Sequence, residues 1–422
     1  MSRALAVPAA SRALAVPAAS RALAAPVPAR APAPLARDEV RAEQWHLKTL
    51  NVAEAWTYAS GAGVTVAVID SGVDADHVDL QGQVRPGLDL VDAEGDAETD
   101  LVGHGTTVSA IIAGKDDDDG VVGIAPKAKI LPIRVLDQEN RYDDAMIVAK
   151  GVRWAVDKGA RVINLSLGGS GSSAALAAAI DYAFAKDVVV VACTGNASAS
   201  SSTGVWYPAR EPGVLAVAGM ERDGEVLWSG SITGKETVVT APATQLVGAR
   251  PGADRSGNRL ETAYWRVQGT SFAAPMVSGT AALIRSRWPD MPASEVVNRI
   301  IKTAEDRGTP GRDSQYGYGL VDPAGALTAE IPAVVINPLD TNAPPGVARL
   351  GSAPSAGRAQ SAPQNVTPGA VGDPAPGANA GFAVASPGPQ ASSSRGWWAA
   401  ASLFLLSGAV GFVVIRRFAN IS

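Results

Sequence analysis

From residue 64 onward, short apolar runs alternate with segments of helical period. Val64–Ile69, Ile130–Val135, Val162–Leu167, Val188–Cys193 and Val214–Ala218 are continuous and mostly apolar. Such runs predict strands buried on both faces. Between them, Thr106–Ala113, Ala145–Lys158 and Ser173–Lys186 predict helices, and Ser271–Arg287 and Ala293–Thr303 predict two more. An earlier helix is predicted over Glu43–Ala59, where Trp45, Leu47, Leu50, Val52 and Trp56 follow a rough 3.6 period. Strands alternating with helices imply an α/β domain with a mostly parallel central sheet, covered on both faces. The globular composition runs from about residue 37 to 332.

The flanks differ. Residues 1–36 repeat Ser2-Arg-Ala-Leu-Ala-Val-Pro-Ala-Ala at Ser11 and, degenerately, at Ser20. Their prolines argue against a helix, and the segment is expected to be disordered. Arg12 and Arg21 interrupt any apolar stretch of an export signal. Residues 333–396 form a Pro/Gly/Ala-rich linker. Within them, 341–394 hold nine prolines, eight glycines and one aromatic residue, Phe382. That composition cannot bury enough surface to fold. Residues 397–415 are uncharged and mostly apolar, and as a helix they would span about 28 Å, near the hydrocarbon thickness. A transmembrane helix is expected there, and a buried terminal helix is the alternative. Arg416-Arg417 open a short tail, 416–422, which the positive-inside rule puts in the cytoplasm. The globular domain is then extracellular and the chain a single-pass protein of the cell membrane.

Hydrophobic residues make up 46% of the chain, so a large core can form. The net charge of −5 and the absence of a long basic run give no sign of nucleic-acid binding. Cys193 is the single cysteine, which excludes an intramolecular disulfide. It reads as a core residue, with a thiol near the site as the alternative.

Four motifs carry chemistry. Val68-Ile69-Asp70-Ser71-Gly72 places an Asp at the end of a buried strand. Gly103-His104-Gly105-Thr106 places a His at a helix start, and Gly269-Thr270-Ser271-Phe272-Ala273-Ala274-Pro275 does the same for a Ser. Thr194-Gly195-Asn196 follows another strand. A serine hydroxyl needs an adjacent base to become a nucleophile, and His is that base near neutral pH. A buried carboxylate holds the imidazole in one tautomer. The developing oxyanion needs fixed donors, which Asn196 and the Ser271 N–H can supply. Taken singly, these residues read as a turn-forming Asp, a helix-capping Ser and an Asn in a tight turn. Their joint presence is the signal.

From about Glu43 to Leu327 the sequence resembles the subtilase family of serine peptidases, through these motifs in the order Asp, His, Ser. The resemblance implies a subtilisin-like three-layer domain with Asp70, His104 and Ser271 as catalytic residues and Asn196 in the oxyanion hole. It implies further that Ser166, Leu167, Gly168 and Gly169 bind protein or peptide substrates as an added strand, with a second strand after Val135. No cofactor is required and no metal site is assigned. Calcium is raised by the acidic run Asp116–Asp119 and by Gln44 and Asp79, which match family ligand positions, although a solvated acidic loop is the more ordinary outcome. Gln44-Trp45-His46-Leu47, the Pro-rich tail and the terminal apolar run resemble the mycosins, membrane-anchored subtilases of type VII secretion systems. That likeness implies an endopeptidase processing or supporting exported proteins. The alternatives are a structural part of the secretion complex or a general degradative surface subtilase.

Overall fold

The computed structural model describes residues 37–117, 119–142, 144–197, 204–222, 224–252 and 263–341, with the backbone of 382–383. Three short helices open the fold: α1 (Arg37–Glu43), α2 (Trp45–Thr49) and α3 (Val52–Trp56). Next, β1 (Thr65–Asp70) and β2 (Leu88–Asp89) precede α4 (His104–Ala113). Strands β3 (Lys129–Arg134) and β4 (Arg141–Tyr142) lead into α5 (Ala145–Asp157). Then come β5 (Val162–Leu165), α6 (Ala174–Ala185), β6 (Val189–Cys193) and β7 (Leu215–Met220). Strands β8 (Val239–Pro242), β9 (Leu246–Ala249) and β10 (Tyr264–Val267) precede the long α7 (Thr270–Arg287). The order ends with α8 (Ala293–Thr303), α9 (Pro323–Thr328) and β11 (Phe382–Ala383).

Seven strands form one sheet in the order β2-β3-β1-β5-β6-β7-β8, and every neighbouring pair is parallel. Val66 of β1 faces Ile130 of β3 on one side and Val162 of β5 on the other. Helices α4 and α7 pack on each other, α4 also on β1 and α7 on β5 to β8. Helices α5 and α6 form a second pair, α5 against β1 and β3 and α6 against β6. The sheet is therefore a middle layer between two helical ones. This explains why β6 and β7 are buried at every position and show no alternation in sequence. Beside the sheet, β9 and β10 pair antiparallel, as do β4 and β11.

The predicted strands and interior helices stand within about two residues of their expected ends. The helix expected over Glu43–Ala59 does not form as one piece. Gln44 leaves helical geometry, and its amide bonds both backbone groups of Val122, Nε2 to the carbonyl at 2.9 Å and Oε1 from the N–H at 3.0 Å. Asn51 adopts a left-handed φ of 46° and breaks the helix again. The packed chain also runs past Pro332. Gly213 N–H donates to Leu339 O at 3.0 Å, and Asn337 Nδ2 to Gly213 O at 2.9 Å. Among the described residues no helix is long and apolar enough to cross a membrane. The predicted segments 1–36, 397–415 and 416–422, and the linker beyond 341 apart from β11, lie outside the described residues.

Candidate active site

The strand order reverses at β1: the chain continues to β3 on one side and to β5 on the other. In open parallel sheets ligands bind beyond the carboxyl ends of the strands at such a point. Asp70 is the last residue of β1. Its Oδ1 lies 2.7 Å from His104 Nδ1 and accepts from the Ser71 N–H at 2.8 Å, while Oδ2 has no partner. His104 is the first residue of α4 and is fully buried. Gly103 precedes it at φ 92°, and a Cβ there would stand 2.8 Å from the Trp265 ring. Only glycine meets both demands. With Nδ1 donating to a carboxylate, the neutral ring keeps its lone pair on Nε2. That atom is buried and unpaired. The Phe272 ring, at the start of α7, lies 5.2 Å from the His104 ring.

Ser271 is the second residue of α7. Pro275, four residues on, has no N–H to give to the Ser271 carbonyl. Ser166 Oγ fills that place and donates to Ser271 O at 2.6 Å. The Ser271 hydroxyl lies 3.8 Å from Cys193 Sγ, and no hydrogen bond joins it to His104 Nε2 in this structure. Burial pushes the Cys193 thiol up to about 11, so it stays protonated at neutral pH. The lone cysteine is thus a buried residue at the end of β6 and also a neighbour of the nucleophile candidate. Asn196 follows β6. Its Oδ1 accepts from the Thr270 N–H at 2.9 Å and from Thr270 Oγ1 at 3.0 Å. Those two donors fix the amide orientation and leave Nδ2 buried and unpaired.

Ser166, Leu167, Gly168 and Gly169 are all buried just past β5. Gly169 exchanges two backbone hydrogen bonds with Tyr207, at 3.0 and 2.8 Å. A Cβ on Gly168 would stand 2.5 Å from Tyr207 O. The close backbone approach that calls for glycine at 168 is thus made by the protein's own Tyr207.

Among the described residues, those raised for calcium already hold other partners. Both ends of the Gln44 amide are held by Val122. Asp79 Oδ2 accepts from the Val121 N–H at 2.8 Å, and Oδ1 from the Tyr264 hydroxyl at 3.2 Å. Asp117 pairs with Lys115 at 3.5 Å. The Arg41 guanidinium bonds Asp116 Oδ1 at 3.0 Å and the carbonyls of Asp119 and Gly120 at 3.2 and 3.4 Å. Arg41 thus holds Asp116 and the backbone of this loop, and backbone donors and a tyrosine hydroxyl hold Asp79. Among the described residues no group of three His, Cys, Asp or Glu could hold a metal.

Comparison with known proteins gives the family. Residues 61–319 match the subtilase family. This chain belongs to the subtilase family. It is accordingly a serine endopeptidase, and its α/β fold is subtilisin-like. This subtilase is 39% identical over 264 residues to subtilisin DY of Bacillus licheniformis, across 62% of this chain and 90% of that protein. It is 36% identical over 316 residues to fervidolysin of Fervidobacterium pennivorans, across 70% of this chain and 45% of fervidolysin. The chain thus spans less than half the length of that relative. Among solved structures it resembles MycP1 from Mycobacterium smegmatis, with TM-score 0.58 and 32% identity over 68% of this chain and 85% of that one. It also resembles the MycP3 protease from the type VII (ESX-3) secretion system, with TM-score 0.59 and 33% identity over 68% and 88%.

Three polar residues of the site carry roles that the motifs do not state. Thr270 and Ser71 lie within the motif strings, where Thr270 orients Asn196 and Ser71 donates its N–H to Asp70, and Asp100 sits beneath the start of α4. For Asp100 a local signal exists, since an acid just upstream of a helix start is a capping pattern.

Proposed function

We propose that this subtilase cleaves peptide bonds with Ser271 as nucleophile, His104 as general base, Asp70 as the carboxylate that orients it, and Asn196 with the Ser271 N–H as oxyanion donors. The observation that carries this is the 2.7 Å contact between Asp70 Oδ1 and His104 Nδ1 beside an unpaired Nε2. Ser271 Oγ attacks the scissile carbonyl carbon as its proton passes to Nε2. The carbonyl oxygen gains negative charge and meets Asn196 Nδ2 and the N–H of Ser271, whose place in the first turn of α7 leaves it without an intrahelical partner. The intermediate collapses, the imidazolium protonates the leaving amine, and an acyl group remains on Ser271. Water then repeats the sequence with His104 again as base. The hydrogen bond from Ser271 to His104 forms as substrate closes the site, as catalytic contacts commonly do. The substrate lies along the Ser166–Gly169 backbone, with a second strand from the stretch after Val135. Ser166 contributes its main chain there, because its hydroxyl serves Ser271. A fluorophosphonate should label Ser271 alone, and labelling that persists in Ser271→Ala would overturn the assignment.

We infer further that residues 397–415 anchor the chain in the cell membrane, with the peptidase domain outside and Arg416-Arg417 in the cytoplasm. The likeness to MycP1 and MycP3 supports a place beside a type VII secretion complex, processing or supporting its exported proteins. Protease added to intact spheroplasts should cut an epitope placed within 341–394. Cutting only after lysis would reverse the topology. Complementation by Ser271→Ala would show that the complex needs the domain rather than its hydrolysis.

A further inference from the structure

Asp100 lies in the loop before α4, and its carboxylate is buried. Five donors converge on its two oxygens. Oδ1 accepts from Ser71 Oγ at 3.0 Å, from the Val102 N–H at 3.0 Å and from the Gly103 N–H at 2.8 Å. Oδ2 accepts from the Thr106 N–H at 2.9 Å and its hydroxyl at 2.7 Å. The N-cap position of α4 is Gly103, which has no side chain to cap with. Asp100 therefore supplies from a distance the acceptor that the helix start lacks. The first residue of that helix is His104.

A second connection runs sideways. Ser71 Oγ, which donates to Asp100, also accepts from the Gly105 N–H at 3.0 Å. The N–H of the same Ser71 donates to Asp70 Oδ1, the oxygen that faces His104 Nδ1. One serine thus ties together the carboxylate under the helix, the peptide just after His104, and the end of β1. Burial above all, with a smaller push from Asp70, raises the Asp100 carboxyl above its ordinary value, against the hydrogen bonds from Gly103 and Thr106 that pull it down. All five partners are donors, so this arrangement suits the ionised form.

We propose that Asp100 is a positioning residue for the reaction, setting the alignment of the His104 ring against Asp70 through the start of α4 and through Ser71. It touches neither substrate nor reacting atoms. The inference rests on the triad reading, and its geometry predicts how a small change acts. Asp100→Asn keeps the shape but turns an NH₂ toward either the Ser71, Val102 and Gly103 donors or those of Thr106. The loop must shift, and His104 shifts with it. Misplacement of a catalytic group on the ångström scale costs up to about a hundredfold in rate.

The test measures kcat and KM of Asp100→Asn on one peptide, per active site titrated with fluorophosphonate, beside the downfield proton resonance of the His104–Asp70 hydrogen bond. The expected result is kcat lowered about ten- to a hundredfold, KM within about twofold, and a shifted or broadened resonance. A lower melting temperature with kcat and the resonance unchanged would make Asp100 a helix cap alone and overturn the proposal. Should Asp100→Asn fail to fold, Ser71→Ala decides, because it cuts the tie between the carboxylates and leaves the N–H caps on Asp100. Reduced kcat at unchanged KM supports the proposal, and unchanged kcat overturns it. Ser271→Ala run in parallel separates the two readings. Activity surviving there sinks the triad itself, whereas an inactive Ser271→Ala beside a fully active Asp100→Asn sinks only the role of Asp100.

Discussion

The catalytic edge of the sheet and the N-terminal clamp use polar groups in opposite ways. At the edge, three buried atoms on three residues stand without partners: Asp70 Oδ2, His104 Nε2 and Asn196 Nδ2. In the clamp, Arg41, Gln44, Trp45 and Trp56 spend their donors on backbone carbonyls of other segments or, in part for Arg41, on Asp116. An unpaired buried polar group costs about 1–3 kcal/mol. Those four side chains avoid that cost, and the edge carries it three times within one small region. Unmet hydrogen-bonding capacity, gathered in one place, marks where a substrate completes the structure. His46 complicates the rule. It lies in the clamp, fully buried, with both ring nitrogens unpaired. Burial alone lowers it to about 3, so it behaves as a neutral space-filling ring.

The comparison can be broken most sharply at Ser271. Ser271→Ala should remove hydrolysis by a factor on the order of a million, the size subtilisin shows for its own serine, and leave the melting temperature nearly unchanged. Residual turnover within a hundredfold of the parent would place the chemistry elsewhere.

Asn196→Ala comes next. It should lower kcat by roughly 10²–10³ with little change in KM, because Nδ2 meets charge that exists only in the transition state. A pure KM effect would show that Asn196 shapes the groove instead.

His46 tests one exception, beside others such as Asn140. The unfolded chain takes up its proton near the ordinary value of 6.5, and the folded one only at about 3. As pH falls through that window the unfolded state binds more protons, so stability falls. The slope from this residue is about 1.4 kcal/mol per pH unit. His46→Phe should flatten the acid side of a denaturation series. An unaltered slope would mean that the ring titrates normally.

The smallest effects belong to the clamp. Gln44→Ala should cost about 1–3 kcal/mol in urea unfolding, since it orphans both backbone groups of Val122. A chelator should leave the melting temperature of the parent unchanged, because Arg41 pairs with Asp116 and Lys115 with Asp117 in that loop. A fall on adding EDTA would restore calcium to that loop.

Some of this was legible in sequence for clear reasons. The central strands are buried on both faces, so their apolar runs are continuous. The Asp70, His104, Asn196 and Ser271 motifs stand out because chemistry restricts residue types and glycine must sit beside them. Other parts depend on distant contacts. The break at Gln44 has its cause 78 residues away, at Val122. Strand β8 is four residues long and ends in Pro242. Strands β9 and β10 pair across a long interval. No local pattern announces any of these. Ser166 is the subtlest case, since its motif suggests a substrate wall and its hydroxyl completes a helix.

That last contact joins parts that sequence order keeps far apart. A serine at the opening of α7 would ordinarily be anchored by its own helix, one turn further along. Proline at 275 removes that anchor, and the side chain of Ser166, the residue just past β5, replaces it. Mechanically, the peptide of Ser271 is bolted to the end of β5, the neighbour of the strand that carries Asp70. The nucleophile and its partner carboxylate therefore ride on one rigid plate. Bending or breathing of the long helix behind them need not disturb their spacing. Alanine in place of Pro275 would give the Ser271 carbonyl a second donor from its own helix beside the Ser166 hydroxyl.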